Sequence, residues 1–309
     1  MRLVVVAPAD FAPLSMLKPD AELAVTIVED ARTLRAALPD ADVLLVHPRL
    51  GSIVREAWSA RGKLRWIHDI AAGVDTLMFD ELCASDVVVT NGRGLFAPAL
   101  AEYTFAAVLH FAKQVPRLLA QQRERRWEPF TVTRVEGQTI GIVGYGGIGQ
   151  AIARLAQTFG MNVIATRRHA DAGGPLVTRD ELFRRSDYAV VCAPLTSETR
   201  GLVGDAQLKL MKRDAVFINV GRGPVVDEAA LVAALREGRI RGAALDVFET
   251  EPLPPDHPLW SFDNVLLSPH CADHTDDSLR RAMTFFLENL ARFREGQPLL
   301  NLVDKTLQY

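Results

Sequence analysis

Short apolar runs alternate along the chain with amphipathic stretches, and this alternation indicates parallel sheets covered by helices on both faces. The apolar runs fall into two groups. Strands are predicted in the first group at residues 3–8, 24–28, 43–48, 64–69 and 87–91, and in the second at residues 139–144, 162–166, 188–194, 215–221, 242–248 and 264–270. Six strands with crossover helices complete a Rossmann-type sheet. We therefore expect an α/β protein with two parallel sheets in two domains.

Helical periodicity accounts for the segments between these strands. Residues 31–38 and 53–60 are predicted to be helical within the first group, and one long helix from about residue 98 through residue 119 is predicted between the groups. A closing helix from residue 276 to about residue 294 carries an apolar face, formed by Leu279, Met283, Phe286, Leu287, Leu290 and Phe293. Because the second sheet already has its strands, we expect this last helix to return to the first domain.

A glycine-rich loop, GYGGIG at residues 144–149, lies between a predicted strand and a predicted helix. Gly144, Gly146 and Gly149 match the G-x-G-x-x-G pattern, in which the glycines permit a tight turn, close approach to a pyrophosphate and close helix packing. The helix N-terminus then presents backbone amides to the phosphates. We predict a dinucleotide site here that also includes Tyr145, Gly147 and Ile148; a purely structural turn is the alternative.

The strand after this loop ends at Thr166, where such folds usually present an acidic residue to the adenosine ribose. Arg167 and Arg168 stand there instead. An arginine cannot accept hydrogen bonds from the ribose hydroxyls, but it binds a 2′-phosphate through charge-assisted bonds. Thr166 and both arginines are therefore predicted to bind NADP(H), with NAD(H) as the second candidate. Two alternatives are a solvated arginine pair and a displaced carboxylate at Asp171.

Composition narrows the class of protein. The 309 residues are 49% hydrophobic and 24% charged, and the net charge of −3 shows no basic bias towards nucleic acid or an anionic membrane. The three cysteines, Cys83, Cys192 and Cys271, have no metal-ligand spacing and do not indicate a disulfide framework. The apolar run at the amino terminus is too short for a secretory signal or a membrane span. A cytoplasmic protein without metal is expected.

Five further motifs follow the ends of predicted strands: LRWIHDIAAGVDTL at 64–77, NGRGLFAPALAEYT at 91–104, INVGRGPVVDEAAL at 218–231, AALDVFETEPLP at 243–254 and NVLLSPHCADHT at 264–275. In this order they resemble the D-isomer-specific 2-hydroxyacid dehydrogenase family, in particular its glyoxylate and hydroxypyruvate reductases, over nearly the whole chain. The resemblance implies a flavodoxin-like substrate-binding domain, residues 1–97 plus 274–309, interrupted by an NAD(P)-binding Rossmann domain at residues 98–273.

The resemblance also implies the roles of individual residues. Arg222, Glu251 and His270 would be the catalytic set, and Asp246 would hold the nicotinamide carboxamide. The remaining cofactor contacts would come from Ala193, Pro194 and Val220. Backbone amides of Ala72 and Gly73 would bind the substrate carboxylate, together with Arg222 and His270. A homodimer is expected, and Trp127 is a weak candidate for reaching a partner's site.

The chemistry of 2-keto acid reduction fits these residue types. The reaction needs a hydride, a proton for the developing alkoxide and a cation for the carboxylate. His270 is the predicted general acid, because a nearby carboxylate such as Glu251 raises a histidine pKa and orients the ring. His274 is a rival proton donor, while Arg222, Glu251 and the Ala72–Gly73 segment could each be ordinary turn residues.

We therefore predict NADPH-preferring reduction of a small 2-keto acid, of the glyoxylate or hydroxypyruvate class, to the D-2-hydroxy acid. A reductase of bulkier 2-keto acids and a non-enzymatic dinucleotide sensor are the alternatives. A formate dehydrogenase-like relative is disfavoured, because Glu251 is present. Apart from the small-molecule acid and a second copy of the chain, no nucleic-acid or membrane partner is expected.

Overall fold

The computed structural model describes residues 1–168 and 174–309. The described chain divides into two compact units. Unit 1 consists of Met1–Phe96 and Asp276–Tyr309, and unit 2 consists of Ala97–Thr275.

Parallel strands and α-helices alternate in both units, as the apolar pattern predicts. The strands, in chain order, are β1 (Arg2–Val6), β2 (Ala24–Val28), β3 (Val43–Val46), β4 (Trp66–Asp69), β5 (Val88–Asn91), β6 (Thr139–Val143), β7 (Asn162–Thr166), β8 (Tyr188–Val191), β9 (Val216–Asn219), β10 (Gly242–Leu245) and β11 (Val265–Leu267). The α-helices, in chain order, are α1 (Ala31–Ala37), α2 (Gly51–Ala57), α3 (Asp80–Cys83), α4 (Ala97–Ala112), α5 (Val115–Arg123), α6 (Gly147–Thr158), α7 (Arg179–Arg185), α8 (Asp205–Leu210), α9 (Glu228–Arg236) and α10 (Ser278–Arg294).

The sheet of unit 1 is parallel throughout. Among the residues described for this unit it has five strands in the order β2-β1-β3-β4-β5, which is the flavodoxin-like order. Every residue of the central strand β3 is buried, because helices cover both faces of such a sheet. The continuous apolar run of this strand therefore has a structural cause.

Helix α10 packs on unit 1, which confirms the expectation that the closing helix returns to the first domain. The ring of Trp66, on β4, lies 5.6 Å from the ring of Phe286 and 5.2 Å from that of Phe293. Leu279 was predicted on the same apolar face, but it lies in the first turn of α10 and is exposed. Helical spacing alone does not show how far along a helix the core extends.

A histidine is buried beneath this aromatic cluster. His68 has no exposed surface, and its Nδ1 lies 2.7 Å from Thr90 Oγ1. Its Nε2 has no hydrogen-bond partner within the part of the chain that the structure describes. Burial lowers the pKa of His68 to about 3, so this ring is neutral at neutral pH.

The prediction of a single long helix between the two groups of strands is wrong. Helix α4 ends at Ala112, and α5 begins at Val115. Gln114, between them, has a φ of 51°, which is left-handed. The cause is Pro116, because proline has no N–H and its ring would clash with the carbonyl of the residue four positions earlier. At the start of α5, by contrast, Pro116 is tolerated.

The sheet of unit 2 is also parallel. Within the described residues it has six strands in the order β11-β10-β9-β8-β6-β7, and an isolated parallel bridge between Ala165 and Leu176 extends it beyond β7. The strand order therefore reverses between β6 and β8. Ligands of open α/β sheets bind at the carboxyl ends of the strands at such a reversal. The predicted fold class is confirmed for both units.

Several predicted strands were too long at their carboxyl ends. Strand β8 ends at Val191, not Pro194, and β10 ends at Leu245, not Phe248. The apolar runs continue into loops, and Pro194 has no N–H to donate to a sheet. Ala193, Val220, Asp246 and His270 consequently follow the ends of four neighbouring strands.

Candidate active site

The loop between β6 and α6 has the conformation expected of a dinucleotide-binding turn. Gly144 has a φ of 103°, and a Cβ at this position would lie 2.8 Å from the backbone nitrogen of Ala193. The carbonyl of Thr166 accepts hydrogen bonds from the N–H groups of Gly144 and Tyr145 at 3.1 and 3.0 Å. The loops after β6, β7 and β8 therefore meet where the strand order reverses.

The other glycines of this loop differ in their surroundings. A Cβ at Gly149 would overlap the carbonyl oxygen of Gly144, so only glycine permits this close packing of α6. A Cβ at Gly146 or Gly147, by contrast, would meet nothing within 4 Å. The first N–H groups of a helix have no partner within the helix. The open space beside the backbone of Gly146 and Gly147, next to these donors, allows close approach of a pyrophosphate.

The remaining residues predicted to contact the cofactor lie around the same edge of the sheet. Ile148 is in the first turn of α6. The carbonyl of Pro194 accepts a hydrogen bond from Thr199 Oγ1 at 2.6 Å, and the Val220 N–H donates to the carbonyl of Val191 at 3.0 Å. These bonds fix the loops after β8 and β9.

The two arginines after β7 are exposed but differ in their contacts. Arg168 Nη2 lies 2.5 Å from Glu198 Oε1. Arg167 forms no ion pair with any residue in the described ranges. Asp171, the alternative carboxylate, lies outside the described residues. Of the two arginines, Arg167 is therefore the one without an ion pair to a described residue.

His270 and Glu251 form a hydrogen-bonded pair, with 2.7 Å between His270 Nδ1 and Glu251 Oε2. Because a carboxylate only accepts hydrogen bonds, Nδ1 carries a proton and Nε2 is the atom that can exchange one. The other carboxylate oxygen, Oε1, accepts the N–H of Phe248 at 3.0 Å. The rival histidine, His274, is more exposed and lies 3.8 Å from Asp273.

The pair changes the pKa of both side chains. The hydrogen bond that His270 donates to Glu251 raises the pKa of His270, although burial and the charge of Arg222 act in the opposite direction. Burial raises the pKa of Glu251, but hydrogen bonds from His270 and Phe248, together with the nearby positive charges, lower it overall. The arrangement therefore favours a protonated histidine beside an ionised carboxylate.

Asp246 holds the loop that carries His270. The carboxylate is buried, and its Oδ1 accepts hydrogen bonds from Ser268 Oγ at 2.6 Å and from the N–H groups of Cys271 and Ala272 at 2.9 and 3.1 Å. The Asp246 carbonyl also accepts the N–H of His270 at 2.9 Å. The structure thus gives Asp246 a positioning role for this loop, and its contact with the nicotinamide stays a prediction.

Sequence reasoning missed Tyr103 in this network. Its hydroxyl lies 2.6 Å from Ser268 Oγ, which in turn donates to Asp246. Tyr103 and Ser268 are separated by 165 positions, and no local pattern connects them. Burial raises the pKa of Tyr103, so the hydroxyl keeps its proton.

Arg222 lies in the turn after β9. Its Nη1 donates to the carbonyl of Gly221 at 2.9 Å, and its own carbonyl accepts a hydrogen bond from Asn219 Nδ2 at 3.2 Å. The charge of Arg222 lowers the pKa of both Glu251 and His270. The predicted catalytic residues Arg222, Glu251 and His270 are therefore close together in unit 2.

The predicted carboxylate-binding loop lies in unit 1, after β4. Asp69 Oδ1 accepts the N–H of Ala71 at 2.9 Å, and Asn91 Nδ2 donates to the carbonyl of Ala72 at 2.6 Å. No acceptor among residues 1–168 and 174–309 binds the backbone N–H of Ala72 or Gly73. The loop is held by the N–H of Ala71 and the carbonyl of Ala72, and it keeps the N–H groups of Ala72 and Gly73 as donors for an anion.

The described part of the chain lacks two features, a membrane-spanning helix and a cluster of metal ligands. No helix there is long and apolar enough to cross a membrane. Nor does any group of three or more His, Cys, Asp or Glu side chains, among the residues with described positions, have an arrangement that could hold a metal ion.

Comparison with known proteins places this fold and site in a family. The model for the D-isomer specific 2-hydroxyacid dehydrogenase NAD binding domain matches residues 105–272. This chain belongs to the D-isomer specific 2-hydroxyacid dehydrogenase family. A glyoxylate reductase from Aeropyrum pernix is 40% identical over 260 residues, which cover 79% of this chain and 77% of the relative.

Solved structures of the family have the same fold. An NADPH-dependent glyoxylate/hydroxypyruvate reductase from Sinorhizobium meliloti, in complex with NADP and malonate, is 30% identical with a TM-score of 0.85, over 99% of this chain and 97% of that one. A D-lactate dehydrogenase from Aquifex aeolicus, in complex with NAD and lactic acid, is 27% identical with a TM-score of 0.81, over 98% and 99% of the two chains.

Membership in the D-2-hydroxyacid dehydrogenase family confirms the resemblance inferred from the motifs. The protein is an oxidoreductase that uses a nicotinamide dinucleotide and reduces 2-keto acids.

Proposed function

We propose that the protein reduces a small 2-keto acid of the glyoxylate or hydroxypyruvate class to the D-2-hydroxy acid, with NADPH as the preferred donor. The observation that carries this proposal is the 2.7 Å pair of His270 and Glu251 beside the charge of Arg222. A protonated histidine and a guanidinium supply the proton and the cation that reduction of a 2-keto acid requires. The similarity to glyoxylate reductases supports the substrate class.

The residues have separate tasks in this mechanism. The bound cofactor supplies the hydride. His270 Nε2 donates the proton to the carbonyl oxygen of the substrate. The hydrogen bond to Glu251 keeps the other proton on Nδ1, and the carboxylate stabilises the imidazolium before transfer. The guanidinium of Arg222 binds the substrate carboxylate and polarises the ketone. Backbone N–H groups of Ala72 and Gly73 also bind the carboxylate.

Binding of the dinucleotide is assigned to the loops of unit 2. The Gly144–Gly149 loop would hold the pyrophosphate, and its contacts would come from Tyr145, Gly146, Gly147 and Ile148. Thr166, Ala193, Pro194, Val220 and Asp246 complete the cofactor contacts. NADP(H) preference rests on Arg167 and Arg168, which stand where a ribose-binding acid would be. Of the two solved relatives, one binds NADP and the other binds NAD. Membership in the family therefore does not decide between the two cofactors, and we assign this choice to the residues at the end of β7.

The protein is also proposed to form a homodimer. Helix α5 and the segment after it expose large apolar side chains, namely Leu118, Leu119, Trp127 and Val132. Trp127 is 95% exposed. An exposed apolar surface of this kind favours an interface between subunits.

The proposal is tested by measuring kcat and KM with NADPH and NADH for a series of 2-keto acids of increasing size. Glyoxylate, hydroxypyruvate, pyruvate and phenylpyruvate form a suitable series. We expect the highest kcat/KM for glyoxylate or hydroxypyruvate with NADPH. The highest kcat/KM for phenylpyruvate would favour the bulkier substrates instead.

The role of His270 is tested by a pair of variants. His270→Gln should lower kcat by about 10²- to 10⁴-fold, the usual contribution of a general acid, and leave NADPH binding unchanged. His274→Gln is the matched control and should keep wild-type kcat. The opposite result, with only His274→Gln inactive, would assign the proton to His274.

A further inference from the structure

A second carboxylate lies behind the proposed acid pair. Glu228 is the first residue of α9, and its side chain is largely buried. Glu228 Oε2 accepts the backbone N–H of Glu249 at 3.1 Å, and Oε1 lies 3.2 Å from His257 Nε2. Glu249 is two residues before Glu251. One carboxylate therefore joins the start of α9 to the segment that carries Glu251.

The histidine on the other side of Glu228 has a fixed proton position. His257 Nδ1 accepts the N–H of Leu259 at 3.4 Å, so Nδ1 presents a lone pair and Nε2 carries the proton. Nε2 then lies 3.2 Å from Glu228 Oε1 and faces it with this proton. His257 thus orients the carboxylate that binds Glu249.

The segment before Glu251 is also packed against the turn that follows Arg222. A Cβ at Gly223 would overlap the carbonyl of Phe248, so the two backbones are in direct contact. The Phe248 N–H is in turn bound by Glu251 itself, at 3.0 Å. The segments of Arg222 and Glu251 are therefore joined at two places, by Gly223 and by Glu228.

We propose that Glu228 is a positioning residue for the reduction, which holds Glu251 against His270 and sets its distance from Arg222. This inference rests on the proposed roles of His270 and Glu251. A simple capping role does not explain the contacts, because the N-cap of α9 is Asp227, whose side chain accepts the N–H of Ala230 at 3.0 Å. The Glu228 carboxylate faces away from its own helix, towards Glu249 and His257.

Loss of the contact between Glu228 and Glu249 should change the pH dependence of the reaction, which a general loss of stability would not do. Among the described residues, the charged groups that face His270 are Glu251, Arg222 and Asp246, and the hydrogen bond that His270 donates to Glu251 raises the pKa of His270 most. If the Glu249 segment relaxes, Glu251 is no longer held on His270, and the pKa of His270 falls. Since reduction needs protonated His270, its rate decreases as the pH rises through this pKa. The alkaline limb of the pH–rate profile therefore moves to lower pH.

The test compares Glu228→Ala, Glu228→Gln and His257→Asn. Glu228→Ala should lower kcat by about 10- to 100-fold, the range for misplacement of a reacting group by up to about 1 Å, with the alkaline limb at lower pH. Glu228→Gln retains an oxygen for the Glu249 N–H and should lose less. His257→Asn keeps an acceptor for Leu259 but does not reach Glu228, so it should shift the limb in the same direction. NADPH affinity, measured by fluorescence, should not change.

Glu181→Ala is the matched control, since Glu181 is a first-turn carboxylate of α7 that pairs with Arg185. It should leave both kcat and the pH profile as in the wild type. If Glu228→Ala does not fold, Glu228→Gln and His257→Asn decide by the same readouts.

The outcomes separate this inference from the proposed function. If His270→Gln retains full reductase activity, the proposed function is wrong and the role of Glu228 with it. If His270→Gln is impaired but the Glu228 and His257 variants keep the wild-type alkaline limb, only the role of Glu228 is wrong. A fall in melting temperature with an unchanged limb would likewise reduce Glu228 to a structural residue.

Discussion

Replacing Arg167 with alanine should weaken NADPH binding more than replacing Arg168, because the two side chains start from different contacts. Arg167 has no ion pair within the described ranges, whereas Arg168 lies 2.5 Å from Glu198. A charge-assisted hydrogen bond contributes about 1.5 to 3 kcal/mol, so loss of Arg167 should weaken NADPH binding by roughly 10- to 100-fold. NADH has no 2′-phosphate, and its affinity should hardly change.

Arg168 has to share its charge between Glu198 and the phosphate. An exposed ion pair contributes about 0.2 to 1 kcal/mol, and that amount reduces the gain from binding the phosphate. The cost of Arg168→Ala should therefore be smaller by up to about fivefold. Glu198→Gln is the complementary variant: it frees Arg168 and removes a negative charge, so NADPH affinity should increase.

Titration calorimetry with NADPH and NADH, on the wild type and the three variants, measures these differences directly. The difference between the cofactors should also shrink with added salt, because it is electrostatic. A wild type that prefers NADH, or equal losses for both cofactors in Arg167→Ala, would refute the reasoning. Asp171 would then be the next residue to test.

Two further predictions concern stability and assembly. Burial lowers the pKa of His68 from its ordinary value of 6.5 to about 3. The neutral ring therefore contributes its full stabilisation of unit 1 above pH 6.5, and this contribution is lost as the pH falls towards the lowered pKa. Between pH 6.5 and about 5 the loss should be about 2 kcal/mol; urea unfolding of His68→Gln should show a correspondingly smaller pH dependence, and an unchanged one would contradict the prediction. The 34.0 kDa chain should have about twice this mass in light scattering, and Trp127→Ser should weaken the dimer; a monomeric wild type would exclude the proposed interface.

The parts of the fold that follow from local patterns could be predicted from the sequence. Buried parallel strands such as β3 consist of uninterrupted apolar residues, and the glycines of the 144–149 loop have individual steric reasons. The break between α4 and α5 was missed although Pro116 signals it, because the apolar periodicity continues through the break. The apolar pattern therefore predicted the helices and strands but extended some of them too far.

Candidate site residues could be named from the sequence only where a motif resembles those of a known family. Arg222, Glu251 and His270 come from such motifs, and the structure brings these three side chains together. Tyr103 and Glu228 were missed, because each acts through a partner distant in the chain and has no chemical signature of its own. Contacts of this kind depend on the packing of strands and loops, which a single sequence does not specify.

The return of α10 to unit 1 has a consequence for how the chain is made. Residues 1–96 leave the ribosome first, but the rings that cover Trp66 belong to Phe286 and Phe293. At synthesis rates of about 5 to 20 residues per second, these rings emerge roughly 10 to 40 seconds after the first segment is complete. Unit 2 is continuous and can acquire its core during that interval. Unit 1 is therefore completed after unit 2, and its apolar strands stay without these two rings until α10 has been synthesised.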